Sequence, residues 1–218
     1  MALALPQREN VLAWLSDKVP AARIKHILGV EQVAGDLARH YGLDEAKARE
    51  AGLLHDLAKY FKPQVLLQMA VAEGLELDSV LEAHPHLLHA DASAIVARDE
   101  FGVVDREILD AIANHTLGRP NMSQLSCTVF VADTIEPSRG NSPQLEALRQ
   151  ASLQNLYAAV WQASDYSLSY LLETRCYIHP RSVLTRNWAL QMARESPATG
   201  NSPESIDNSD RTGLQSRL

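Results

Sequence analysis

The chain has 218 residues, of which 46% are hydrophobic, and its formal net charge is -7 with a sequence pI near 5.6. This length and apolar content predict one folded domain with a buried core and exclude a chain that is disordered throughout. The acidic charge argues against a nucleic-acid partner, because clusters of lysine and arginine are needed to bind a phosphate backbone. The two cysteines form no disulfide framework, and no segment is apolar for long enough to cross a membrane. We therefore expect a cytoplasmic protein with no membrane partner.

Apolar residues recur mainly with helical spacing, and no stretch alternates for long enough to predict a strand, so we expect an all-α fold. Proline, glycine, Asp44 and Ser142 mark the predicted starts and stops of the helices. The predicted helices cover approximately residues 6–19, 21–41, 44–60, 63–73, 87–100, 105–115, 124–135 and 143–173, with a last helix after Pro180.

The composition also predicts how the chain is divided. Residues 1–20 are expected to form an N-terminal helical extension, and residues 21–193 are expected to form the main domain. From about residue 196 the chain is rich in Ser, Asn, Asp, Gly and Pro and has almost no apolar residues. Such a segment buries too little surface to offset the entropy of ordering, so residues 194–218 are predicted to be a disordered tail.

The most informative motif is His55-Asp56, in the middle of an apolar helix that also contains Lys59. An unpaired carboxylate in such a place is costly to desolvate, and a metal ion removes that cost by taking the imidazole and the carboxylate as ligands. The alternative is that Asp56 is a buried carboxylate paired with Lys59, and the doublet alone does not decide between the two.

Four further ionisable residues lie on or beside apolar helix faces. Each of them taken alone is better explained as a hydrogen-bonded core residue than as a metal ligand. Together with the doublet they place such groups on five helices, which a helical bundle brings together around a metal. They are His26, His89, His115 and Asp133. His40, His84 and His86 lie near a helix end or in a loop, so we do not expect them to be ligands.

The order of these residues along the chain resembles that of the HD-domain superfamily. The short sequence motifs around them resemble those of its YqeK family. The resemblance extends from about Arg23 to Asn187. Its segments are Arg23-Ile24-Lys25-His26, Leu54-His55-Asp56-Leu57-Ala58-Lys59, Leu87-Leu88-His89, His115-Thr116-Leu117-Gly118 and Ala132-Asp133-Thr134-Ile135-Glu136-Pro137-Ser138-Arg139. Leu117 departs from the pattern, because a second threonine is more frequent there.

The resemblance implies an HD-domain helical bundle with a metal site in its core. It implies a symmetrical bis(5'-nucleosyl)-tetraphosphatase, which splits diadenosine tetraphosphate or a related dinucleoside polyphosphate into two ADP. It also implies two iron ions, with Asp56 bridging them. The implied ligands are His26, His55, Asp56, His89, His115 and Asp133. Nitrogen and oxygen donors without cysteine equally suit manganese or another divalent metal.

Other residues are candidates for contact with the substrate. Lys59 and Arg139 are placed to meet phosphate oxygens, although both also fit solvent-exposed charges. Thr116 can donate its hydroxyl to phosphate, or it is simply a threonine at a helix end. Tyr177 and Ile178 fit either a contact with the nucleotide base or a packed loop before the helix that starts at Pro180.

Two other functions stay open at this point. One is a different HD-domain nucleotide phosphohydrolase or nucleotidase, which would share the metal ligands. The other is a di-iron oxygenase built on the same ligand set, and Lys59 and Arg139 do not exclude it. The sequence leaves open whether the protein forms a homodimer.

Overall fold

The computed structural model describes residues 5–196, and within this range the chain is all α-helical with no strand. The helices are α1 (Leu5–Lys18), α2 (Ala21–His40), α3 (Glu45–Leu54), α4 (Pro63–Ala72), α5 (Ser79–Ala83), α6 (His89–Phe101), α7 (Arg106–Asn114), α8 (Gln124–Ile135), α9 (Pro143–Ser152), α10 (Leu156–Glu173) and α11 (Pro180–Glu195). The predicted all-α bundle is confirmed. The predicted disordered tail lies almost wholly outside the described residues.

Local signals in the sequence set most of the helix starts. Asp44 accepts hydrogen bonds from the backbone N–H groups of Ala46 and Lys47, and Ser142 caps α9 in the same way. These contacts satisfy N–H groups that have no partner inside the helix. Gly42 follows α2 with a φ of 66°, a left-handed conformation that glycine adopts at low cost.

Three expectations about helix bounds were wrong. The predicted third helix ends at Leu54 instead of residue 60, because tertiary contacts replace its last turn: the backbone N–H of Ala58 donates to Ser93 Oγ at 3.0 Å. The predicted helix over 143–173 is two helices, because Asn155 is extended and caps α10 through Ala158 N–H. The helix predicted from residue 87 starts at His89, after a 3-10 turn over Pro85–Leu88.

The core is centred on α2, which packs against both α3 and α8. The predicted N-terminal extension joins this core, since Val11 and Leu15 of α1 are fully buried with Ile27 and Val30 of α2. Helices α10 and α11 pack together and close the bundle beside α8. In the described part of the chain, no helix is both long and apolar enough to span a membrane.

Candidate metal centre

The fold brings the six predicted His and Asp ligands into one cluster. His26 comes from the second turn of α2, His55 and Asp56 from the turn after α3, and His89 from the start of α6. The other two are His115, directly after α7, and Asp133 in α8. Five of the six are buried, and the side chain of Asp133 is 20% exposed.

Asp56 is shared by two groups of three potential ligands, one with His26 and His55 and the other with His89 and His115. Its Oδ2 lies 3.5 Å from His55 Nε2 and 3.9 Å from His26 Nε2. Its Oδ1 lies 3.3 Å from His89 Nε2 and 3.6 Å from His115 Nε2. Each carboxylate oxygen therefore faces one pair of imidazoles, so Asp56 belongs to both groups of potential ligands.

Asp133 extends the first of these groups. Its Oδ1 lies 3.0 Å from His26 Nε2 and 3.9 Å from His55 Nε2. Burial opposes ionisation, but the hydrogen bond to His26 and the charge of Arg139 hold the pKa of Asp133 well below its ordinary value. In the same way, burial of Asp56 is outweighed by His55, His115 and His89, so its pKa is also well below the ordinary value. Both carboxylates are ionised at neutral pH.

Three of the histidines are oriented by one local contact. The Nδ1 atoms of His55, His89 and His115 lie 2.7, 2.6 and 2.8 Å from the carbonyl oxygens three residues earlier in the chain. A carbonyl oxygen can only accept, so Nδ1 carries the proton and Nε2 keeps its lone pair. Burial lowers the pKa of His55 to about 3 and that of His89 to about 4, so both rings are neutral at neutral pH.

These residues fit bound metal ions. The Nε2 atoms of His26 and His55 are 3.3 Å apart, and those of His89 and His115 are 3.1 Å apart. Asp56 Oδ1 is buried and accepts no hydrogen bond from any described residue. The Nε2 lone pairs of His89 and His115 face each other in this buried site, and a cation between them removes their repulsion. Imidazole and carboxylate donors suit iron, manganese or zinc.

Three cations border the cluster, and each contacts a different member of it. Lys59 Nζ lies 3.1 Å from His89 Nε2, and Arg139 Nη2 lies 2.6 Å from Asp133 Oδ1. Burial lowers the pKa of the Lys59 ammonium group, and Asp56 and Asp133 only partly offset this effect. Lys59 contacts His89, and the described residues show no ion pair between Lys59 and Asp56, so the pairing that the sequence left open is not formed.

The third cation, Arg23, was not predicted to have a role. Its Nη1 donates to Asp56 Oδ2 at 2.9 Å, and its side chain is 22% exposed. Arg23 precedes His26 by three residues, so both project from the same face of α2. That spacing was the signal in the sequence that could have identified it.

A second unpredicted residue is Glu136, which follows α8 and is 1% exposed. Its Oε1 lies 2.8 Å from His26 Nδ1, the ring nitrogen that faces away from the cluster. Burial raises the pKa of Glu136, but hydrogen bonds from Ser138 and His26 outweigh this effect and lower it.

A cavity of about 290 Å³ opens beside the cluster. Lys59, His115, Thr116 and Asp133 line one part of it, and residues of α10 line another. The hydroxyl oxygen of Thr116 lies 3.1 Å from His89 Nε2. Phosphate groups in this cavity would therefore lie directly against the predicted ligands and the ammonium group of Lys59.

Tyr177 and Ile178 do not reach the cluster. Tyr177 is 70% exposed and lines an adjacent cavity of about 450 Å³, with its ring centroid 4.6 Å from that of His84. Ile178 is half-buried and is not among the residues that line either cavity. The two cavities share five lining residues, which are Leu87, Leu117, Tyr170, Leu171 and Ser182.

Comparisons with known proteins identify the family to which the chain belongs. The family model described as HD domain matches residues 23–138. The chain is 35% identical over 181 residues to the symmetrical bis(5'-nucleosyl)-tetraphosphatase of Bacillus subtilis, with 83% of this chain and 96% of the relative covered. It is 37% identical over 183 residues to the protein of the same name from Halalkalibacterium halodurans, with 84% and 97% covered.

A solved structure is similar over nearly the whole chain. It is the crystal structure of a predicted HD superfamily hydrolase involved in NAD metabolism from Clostridium acetobutylicum. The TM-score is 0.81 at 32% identity, with 88% of this chain and 100% of the other covered. The chain therefore belongs to the HD-domain superfamily and, within it, to the YqeK family of the symmetrical bis(5'-nucleosyl)-tetraphosphatases.

Proposed function

We propose that this protein hydrolyses diadenosine tetraphosphate symmetrically to two ADP at a di-iron site, and that it also cleaves related dinucleoside polyphosphates. The observation that carries the proposal is Asp56, which is shared between two groups of potential ligands in a cluster that three cations border. The names of the curated relatives support the same substrate and the same position of cleavage. The cytoplasmic location, the absence of a nucleic-acid partner and the open question of a homodimer stay as predictions from the sequence.

The proposed ligands are the six clustered side chains: His26, His55, Asp56, His89, His115 and Asp133. When bound, the metal ions supply activation of the attacking water and neutralisation of charge on the phosphate. The chain itself supplies the imidazoles of His55, His89 and His115, whose Nδ1 atoms face carbonyl oxygens and whose Nε2 atoms face the cluster. Iron is the proposed metal, and manganese or another divalent ion fits the same donors.

The cations set which phosphate is attacked. Lys59 contacts the cluster beside His89, and Arg139 contacts it beside Asp133, so their charges border the two groups of ligands. Phosphate oxygens held by both side chains keep one phosphorus atom over the cluster. Positioning and charge neutralisation dominate phosphoryl transfer, so the register of the phosphate chain determines the products.

The nucleoside is proposed to occupy the two connected cavities. Thr116 lines the cavity next to the cluster and is placed to donate its hydroxyl to phosphate. Tyr177 offers an exposed ring in the adjacent cavity, where a base can stack. Ile178 is also proposed to contact the base, although it lines neither cavity in this conformation. With one ADP unit held there, the second ADP unit leaves from the other side of the cluster.

Chromatography of an early time point tests the function directly. Protein purified without oxygen is loaded with iron or manganese and incubated with diadenosine tetraphosphate. ADP as the only product supports the proposal, while ATP with AMP, or no turnover with either metal, contradicts it. Oxygen consumption with an organophosphonate or polyol substrate would support the oxygenase alternative instead. Metal analysis of the same sample is expected to approach two ions per chain.

A further inference from the structure

We propose that Glu136 is a positioning residue that orients His26 as a ligand, and that Gly29 provides the space in which the Glu136 carboxylate lies. This inference rests on the metal centre of the proposed function. It concerns only the side of the centre formed by His26, His55 and Asp133, because Glu136 contacts no other predicted ligand in the described structure.

His26 differs from the other histidines in how its ring is held. His55, His89 and His115 lie at helix ends, where Nδ1 reaches the carbonyl oxygen three residues back. His26 lies inside α2, where backbone carbonyl groups already accept the hydrogen bonds of the helix. Its Nδ1 faces Glu136 Oε1 at 2.8 Å instead. The orientation of this ring therefore depends on a residue 110 positions later in the chain.

The Glu136 carboxylate is itself held in place. It accepts a hydrogen bond from the Ser138 backbone N–H at 2.6 Å and another from the Ser138 hydroxyl. The side chain is 1% exposed, so it has little freedom to turn toward solvent. Asp133 lies one helical turn before it, and its Oδ1 is 3.0 Å from His26 Nε2. The same segment thus contacts both nitrogens of the His26 ring.

Gly29 follows His26 by three residues and faces the same carboxylate. A Cβ atom at position 29 would lie 2.5 Å from Glu136 Oε2 and 3.2 Å from its Cδ. Glycine inside a helix costs roughly 1 kcal/mol relative to alanine. The space for Glu136 gives a physical reason for glycine at this position in α2. An alanine there would displace the carboxylate from His26 while leaving the helix favourable.

A carboxylate on the far nitrogen of a ligating histidine fixes the ring orientation and raises the basicity of the coordinating nitrogen. Loss of such a partner typically weakens metal binding by about 10- to 100-fold. We therefore expect loss of the Glu136–His26 contact to weaken metal binding while the helical structure is retained.

The test compares Gly29→Ala with Gly35→Ala, a matched control on the same helix. A Cβ at Gly35 would also meet the end of a flexible side chain, that of Arg49 at 2.6 Å, but Arg49 is not in the metal centre. The probe is Mn²⁺ titrated into metal-free protein, with unbound Mn²⁺ measured by electron paramagnetic resonance. Far-UV circular dichroism and melting of the metal-free variants report whether each one folds.

Gly29→Ala is expected to weaken one of the two Mn²⁺ sites about 10- to 100-fold, while Gly35→Ala binds as the wild type does. Glu136→Leu should weaken Mn²⁺ binding to the same extent. If Gly29→Ala does not fold, Glu136→Leu alone tests whether Glu136 orients His26. Glu136→Gln should recover part of the affinity, because its amide oxygen still accepts from His26. Folded Gly29→Ala and Glu136→Leu proteins with wild-type affinity would overturn this inference alone. A wild type that binds no divalent metal would instead overturn the proposed function.

Discussion

Replacing Arg23 by methionine should destabilise the metal-free protein more than the metal-loaded protein. Arg23 donates to Asp56 Oδ2 at 2.9 Å, and the Asp56 side chain is 2% exposed. The neighbouring imidazoles of His55 and His89 do not replace this charge, because burial lowers their pKa to about 3 and about 4. Without Arg23 and without metal, a buried carboxylate loses the cation that is hydrogen-bonded to it.

The size of the effect follows from this geometry. Loss of a buried, charged hydrogen bond costs about 2–3 kcal/mol when one partner is partly exposed, as Arg23 is. For a domain of this size that cost corresponds to a fall in the melting temperature of about 4–12 °C. Bound metal balances the charge of Asp56, so the fall should be smaller in the loaded protein.

Differential scanning calorimetry measures the melting temperature of the metal-free protein with chelator and of the metal-loaded protein with excess Mn²⁺. The rise in melting temperature that Mn²⁺ causes should be larger in Arg23→Met than in the wild type. Arg8→Met is the control, because Arg8 forms a comparable ion pair with Glu31 at 2.7 Å outside the centre. The melting temperature of Arg8→Met should fall by the same amount with and without metal. If Arg23→Met lowers the melting temperature equally in the metal-free and the metal-loaded protein, the contact with Asp56 is not coupled to the metal centre.

Three further substitutions test the roles of individual residues. Asp56→Ala should abolish turnover with the far-UV circular dichroism spectrum retained, and a near wild-type rate would contradict a bridging role. His115→Ala should lower the metal content from two ions per chain toward one, measured by mass spectrometry after anaerobic purification. Lys59→Ala should lower kcat/KM roughly 10- to 1000-fold, the usual cost of losing one charge-stabilising group. A fall in kcat/KM of less than twofold would show that Lys59 has no role in the reaction.

The features that depend on residues close together in the chain, such as helix caps and the buried face of a helix, were predictable from the sequence. Asp44 and Ser142 are local capping signals, and both cap their helices in the structure. The inward position of His26 followed from its spacing to Val30, a buried residue on the same face of α2. Such signals act over a few residues, so they are visible without the fold.

The parts that were missed depend on contacts between distant segments. Arg23 reaches Asp56 across 33 positions, and Glu136 reaches His26 across 110. The third helix ends early because Ser93, far along the chain, takes the hydrogen bond of Ala58. No periodicity or capping rule contains these contacts, since they exist only after α2, α6 and α8 have packed together.

The acidic net charge and a polyanionic substrate are compatible because phosphate responds to the local field. Within the site, the three carboxylates of Asp56, Asp133 and Glu136 equal in number the three cations Arg23, Lys59 and Arg139. These six side chains therefore provide no excess of positive charge with which to attract a phosphate chain. Two divalent ions would change that balance by four charges. The metal ions would thus govern substrate binding as well as catalysis.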